Sequence, residues 1–240
     1  MRLDRFYANP TCSPSRASLL TGLFSASHGV HAPVTHTTEN GLPRELPLLP
    51  QFLSEVGYST HLVGKWHLGS RHSSFLPTAR GFDSFYGHLN GGIGYFDHVF
   101  SGGLDWQRDG VSVREEGHAS SLMAAEASRI IVGQPTAQPF FLLLAFNAPH
   151  TPLEEPDGSG RAHSGRETLQ RMIGHLDSEI GSVLSDLDSK GLRNETLIIF
   201  ASDNGGSAPK PWLLELLIPP LRDGYSDNGP LRQGKGSVFE

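Results

Sequence analysis

Leu169, Met172, Ile173, Leu176, Ile180, Val183, Leu184 and Leu187 recur at three- and four-residue steps. That spacing predicts an amphipathic helix. Lys190 and Gly191 follow it, a cation near the C-terminal carbonyls and then a glycine suited to the C-cap. On either side the pattern changes. Residues 140–146 and 196–201 are continuous apolar runs, as expected for strands buried on both faces. Residues 60–63 form a shorter, β-leaning run, and helical patterns fit residues 48–56, closed by Gly57, and 120–132. Strands alternating with helices predict an α/β fold with a largely parallel sheet. Residues 84–118 are rich in glycine and aromatics without a clear period, and read as irregular surface loops over that sheet. Residues 212–220, apolar and ended by two prolines, read as a packed insertion.

In open parallel sheets, ligands bind beyond the carboxyl ends of the strands. Polar groups cluster at three such ends. Lys65 and His67 follow the first run, His150 the second, and Asp203 and Asn204 the third. Packing demands no polar group at any of these exits, so their coincidence predicts one shared site. Taken singly, each is an ordinary loop residue; Asp203-Asn204-Gly205 is also a good turn sequence.

Composition narrows the class. A chain of 240 residues with 37% apolar and 18% charged residues can bury a core of its own, and residues 1–240 read as one domain. A net charge of −6 gives no general attraction for nucleic acid or anionic lipid, so an anionic substrate needs a local cluster of cations. No apolar stretch is long enough to span a bilayer, and the first residues lack the apolar region of a secretory signal. Asn194-Glu195-Thr196 fits the N-glycosylation pattern.

Cys12 is the only cysteine, so it forms no intrachain disulfide. Alone, it would be read as an inert packing group at a helix start. It opens the run Cys12-Ser13-Pro14-Ser15-Arg16, however, with Leu20-Thr21-Gly22 shortly after. This run resembles the C-x-P-S-R motif of the type I, formylglycine-dependent sulfatases. Gly64-Lys65-Trp66-His67-Leu68-Gly69 resembles the family's second motif, and residues 76–83 resemble the segment that follows it in arylsulfatase A/B-like members. Ala148-Pro149-His150-Thr151-Pro152, Ser202-Asp203-Asn204-Gly205 and the run 230–236 match later motifs in the same order.

The resemblance implies an alkaline-phosphatase-like fold, incomplete at both ends. It implies a sulfuric ester hydrolase acting on an aryl or carbohydrate sulfate. Cys12 would be oxidised to formylglycine by a formylglycine-generating enzyme, which reads C-x-P-x-R; Pro14 and Arg16 are both in place. The aldehyde hydrate attacks sulfur with one hydroxyl and expels sulfate through the other. By the same resemblance Arg16 steadies the hydrate, Lys65 and Lys235 bind the sulfate, His67 acts as base, and His150 binds sulfate and helps protonate the leaving alcohol. Cys12, Asp203 and Asn204 become ligands of one divalent cation, Ca²⁺ by their hard oxygen character. Family members carry two more Asp ligands upstream of the cysteine motif, and no Asp-Asp pair precedes Cys12. Residues 1–240 by themselves therefore fall short of a complete metal site. The family's members are often secreted, periplasmic or lysosomal. Two other readings stay open on the sequence: a phosphonate or phosphodiester hydrolase of the same superfamily, and a non-catalytic sulfatase-like fragment.

Overall fold

The computed structural model describes residues 1–3, 6–135, 137–160, 163–207, 226–230 and 234–237. The expected insertion at 212–220 lies outside the described residues. Five α-helices are described: α1 (Cys12–Thr21), α2 (Ser25–His28), α3 (Leu49–Glu55), α4 (Ala119–Gly133) and α5 (Gly165–Ser189). The strands are β1 (Ser59–Lys65), β2 (Ser84–His88), β3 (Val99–Phe100), β4 (Gly103–Leu104), β5 (Gln107–Arg108), β6 (Val111–Ser112) and β7 (Phe140–Ala145). The main sheet runs β6-β5-β2-β1-β7. Its centre is parallel, with β1 pairing β2 and β7, and β5 and β6 extend it as antiparallel strands.

Side-chain alternation along β1 divides the core. Leu62 and Trp66 pack with Ala17, Leu20, Leu48 and Phe85 on the α1 side of the sheet. Val63 packs with Tyr86, Met123 and Met172 on the α4 side. Helices α4 and α5 then bury Ala124, Ala127, Ile131, Val183 and Leu187 between them. The α5 stripe follows the expected spacing at Leu169, Met172, Val183 and Leu187, which are buried, and departs from it at Ile173, which is exposed. Its start is fixed by a capping box, in which Ser164 Oγ accepts from the Glu167 N–H and the Glu167 carboxylate accepts from the Ser164 N–H.

Three expectations need correction. Residues 84–118 are not surface loops throughout: β2 is a central strand in register with β1, from His61↔Ser84 to Lys65↔His88. Its interior glycine hid it. Gly87 sits at φ +142, and a Cβ there would meet the Gly64 carbonyl oxygen at 2.3 Å, so close strand packing requires glycine. Residues 196–201 form no strand; Leu197, Ile199 and Phe200 are exposed, and no ladder partner is described beside them. β7 is only half-buried along most of its length, because β1 is its one described neighbour. Continuous apolar runs read as strands covered on all sides, and among the described residues that cover is not present. Among the described residues no helix is long and apolar enough to cross a membrane.

One buried charge ties α4 to the sheet. Arg108 on β5 and Arg129 on α4 both grip the Glu126 carboxylate, each with one contact of 2.6 Å. Burial pushes the Glu126 carboxyl up, but the hydrogen bonds from Arg129 and Arg108 outweigh it and hold it below the ordinary range. A carboxyl depressed in the folded state stabilises above its unfolded value, near ~4.3, and that contribution is lost as pH falls through the folded value. Both arginines are partly exposed, which screens the pairs. Glu126→Gln is expected to cost about 1–3 kcal/mol at pH 7. It should also flatten the loss of stability below about pH 4.5. Urea melts of both proteins at pH 7 and pH 3.5 check this.

Candidate active site

Helix α1 begins at Cys12, which is 3% exposed and a free thiol. Two side chains of the same helix fasten its first turn to the end of β1. Ser13 Oγ donates to the His67 carbonyl at 2.8 Å and accepts from the Val34 N–H at 2.9 Å. Arg16 donates to the Lys65 carbonyl at 2.7 Å and to Asp203 Oδ2 at 3.2 Å. One short segment thus gathers Cys12, Lys65, His67 and Asp203 at the carboxyl end of the sheet. Ser13 is a part of this device that motif reasoning passed over; its place one residue after Cys12, in the helix's first turn, was the available signal.

Lys65 is the last residue of β1 and is 3% exposed. Burial, and next the charge of Arg16, lower its ammonium to about 8. His67 lies two residues on, at φ +62, with its N–H donating to Leu89 O at 3.0 Å. Burial, with the Lys65 charge next, holds its ring far below the ordinary value, so the ring is a neutral, unprotonated base. His150 stands between two cis prolyl bonds, Ala148-Pro149 and Thr151-Pro152. Its Nδ1 is 2.8 Å from the Thr151 carbonyl. A carbonyl only accepts, so Nδ1 carries the proton and Nε2 is the basic nitrogen of the neutral ring. Burial and then Lys65 lower this ring to about 4. Lys235 is fixed by its backbone, with Lys235 N–H donating to Gly206 O at 2.9 Å and Gly236 N–H to Pro10 O at 2.8 Å. Its charge depresses Lys65, His67 and His150 together. His88, at the Lys65 register position on β2, is fully buried, and burial keeps its ring well below the ordinary value. It too escaped sequence reasoning, because the strand that carries it was read as loop.

The site is therefore a knot of cations and neutral bases around one thiol. Such a knot is electrostatically unfavourable while empty and suits an oxyanion. The Asp203 carboxylate is spent on Arg16 rather than on an Asx-turn. Asn204 donates its amide N–H to Gly205 O at 2.9 Å, while its Oδ1 is buried without a described partner. A hard cation would take oxygen donors of this kind, and Asp203 and Asn204 fit it in chemistry. Among the described residues no cluster of three His, Cys, Asp or Glu is placed to hold a metal. The segment 76–83 plays a supporting role instead. Arg80 donates to the carbonyls of Leu42, Pro43 and Leu46, and Asp83 accepts the Thr60 N–H at the start of β1.

The sulfatase family profile matches residues 1–238. The chain belongs to the sulfatase family. Sulfatases generally work with a formylglycine and a divalent cation. This sulfatase chain is 33% identical to arylsulfatase J of Mus musculus over 257 residues, covering 100% of itself and 40% of that protein. It is 34% identical to N-acetylgalactosamine-6-sulfatase of Rattus norvegicus over 263 residues, covering 100% of itself and 48% of that protein. It thus spans about half the length of these relatives or less. Among solved structures, Ps i-CgsB in complex with k-i-k-neocarrahexaose superposes with a TM-score of 0.81 at 29% identity, over 96% of this chain and 53% of that one. The fold is accordingly that of the alkaline-phosphatase-like sulfatases, with a mostly parallel sheet between helical layers.

Proposed function

We propose that this chain carries the catalytic centre of a sulfuric ester hydrolase that acts on carbohydrate or aryl sulfates. The observation that bears most on this reading is the cluster of Lys65, His67, His150 and Lys235 around one another, with Cys12 and Arg16 beside Lys65 and Arg16 bonded to both Lys65 and Asp203. The names of the relatives, a sulfatase of N-acetylgalactosamine-6-sulfate and a carrageenan-bound protein, favour a sulfated glycan.

Oxidation of Cys12 to formylglycine supplies, as the hydrate, a hydroxyl that attacks sulfur and a second whose deprotonation expels sulfate. A divalent cation, Ca²⁺ in this reading, would be held by Asp203, Asn204 and residue 12, and would lower the proton affinity of the attacking hydroxyl. The remaining work falls to side chains already in place. Lys65 and Lys235 bind the sulfuryl oxygens as point charges. The anion restores the proton affinity that burial takes from Lys65. Arg16 holds the Lys65 carbonyl and Asp203 in one frame. His67, neutral and buried, accepts the proton of the second hydroxyl. His150 offers Nε2 toward the ester, and the charge of the bound sulfate raises its proton affinity so that it can protonate the leaving oxygen.

Coexpression with a formylglycine-generating enzyme, followed by tryptic mass spectrometry, tests the first step. The peptide 6–16 is expected to carry the aldehyde at residue 12. A peptide bearing only the thiol under those conditions would count against the proposal.

A further inference from the structure

Asp105 lies outside every motif described above, between β4 and β5. It is 7% exposed. Oδ1 accepts the Leu89 N–H at 3.0 Å; Oδ2 accepts the Asn90 N–H and the Asn90 side-chain amide, both at 2.9 Å. The Asp105 N–H in turn donates to the His98 carbonyl at 2.9 Å. A carboxylate that receives three hydrogen bonds from two consecutive residues fixes the orientation of their peptide plane.

The chain fixed in this way reaches both histidines. The Leu89 carbonyl accepts the His67 N–H. A Cβ placed on Gly91 would stand 2.9 Å from Cε1 and Nε2 of His67, and one on Gly92 would stand 2.8 Å from Nδ1 of His150. Neither glycine has a left-handed φ, so the backbone conformation does not call for glycine. What calls for it is the space taken by the two rings. Farther along, Asn147 Nδ2 donates to the Ile93 carbonyl at 3.2 Å, and the Tyr95 hydroxyl donates to the His150 carbonyl at 2.8 Å. The strap from 89 to 95 therefore touches the ring or backbone of each histidine, and the Asp105 carboxylate anchors its beginning.

Resting on the roles given to His67 and His150 above, we infer that Asp105 is a positioning residue that aligns both imidazoles through the backbone of residues 89–92. It touches no reacting atom. Its carboxylate sets where Gly91 and Gly92 stand, and these two glycines form the wall against which the rings lie. A wall that shifts by a fraction of an ångström lets the rings turn away from the hydrate and the leaving oxygen, which lowers the rate without weakening sulfate binding.

Asp105→Asn tests this, because one acceptor oxygen becomes an N–H donor facing other N–H donors. For an aryl sulfate, kcat is expected to fall about 10-fold or more while KM stays within about two-fold. In ¹⁵N spectra of histidine-labelled protein, the ring signals of His67 and His150 should move while those of His61 and His163 stay. Gly91→Ala leaves the carboxylate intact and presses on His67 directly; it should reproduce the kcat loss and move the His67 signal. Unchanged kcat in both variants, or unmoved ring signals in both, would overturn the inference. Should Cys12→Ala retain sulfate ester hydrolysis, the proposed function fails instead, and the ring spectra still decide whether Asp105 holds the two histidines.

Discussion

Cys12→Ala is expected to reduce sulfate ester hydrolysis by about 10⁴-fold or more, as for removal of a covalent nucleophile. Alanine cannot be converted to the aldehyde, so no hydrate forms at the head of α1. The fold should survive. Alanine is a strong helix former, and the side chain lost is small, so the cavity left at this buried position costs on the order of 1 kcal/mol. Cys12→Ser should fail as well, since a serine that attacked sulfur would remain as a stable sulfate ester. The measurement is turnover of an aryl sulfate by the enzyme with its metal site complete, with thermal melts in parallel. More than about 1% residual activity in Cys12→Ala would remove this residue from the mechanism.

The next largest effects are expected at the cations and bases around it. Lys65→Ala and His150→Ala should each lower kcat/KM by about 100-fold, the scale for losing one charge contact to a developing oxyanion. Lys65 is buried among Arg16 and Lys235, so its removal relieves repulsion while the site is empty. The variant should therefore melt no lower than the parent even as activity collapses, which separates a catalytic loss from a folding loss. His163→Ala, at a residue given no role, is the control. Equal small effects at all three positions would mean that the wrong site had been chosen.

The parts of this site that sequence made legible are those whose chemistry is peculiar to their residue type. Cys12, Lys65, His67 and His150 stand in short, dense runs, and the structure brings them to one end of the sheet by way of Arg16 and Ser13. The helices were legible for another reason: α5 carries a periodic apolar stripe and a capping box within its own sequence. What stayed hidden depends on partners distant in sequence. β2 holds a glycine and a histidine in its interior and has meaning only beside Gly64 and Lys65 of β1. Asp105 looks like any surface aspartate until residues 89 and 90 are folded onto it. The run 196–201 errs in the opposite direction. Its composition announces a covered strand, yet hydrophobicity states only what a segment needs and not whether its neighbours are there.

His67 combines a demanding backbone with a demanding side chain. Its φ of +62 is a conformation that residues with a Cβ avoid, at roughly 1–2 kcal/mol. Two bonds hold it there, its N–H to Leu89 and its carbonyl to the Ser13 hydroxyl. Glycine would rest at this position without strain, but glycine has no imidazole. In the proposed mechanism the protein thus gives up folding stability at the residue that takes the proton, and α1 and the 89–92 strap supply the constraint that keeps it from relaxing. In that mechanism stability and turnover are in opposition at residue 67. A glycine at this position would relieve the strain and, in the proposed mechanism, remove the base along with it.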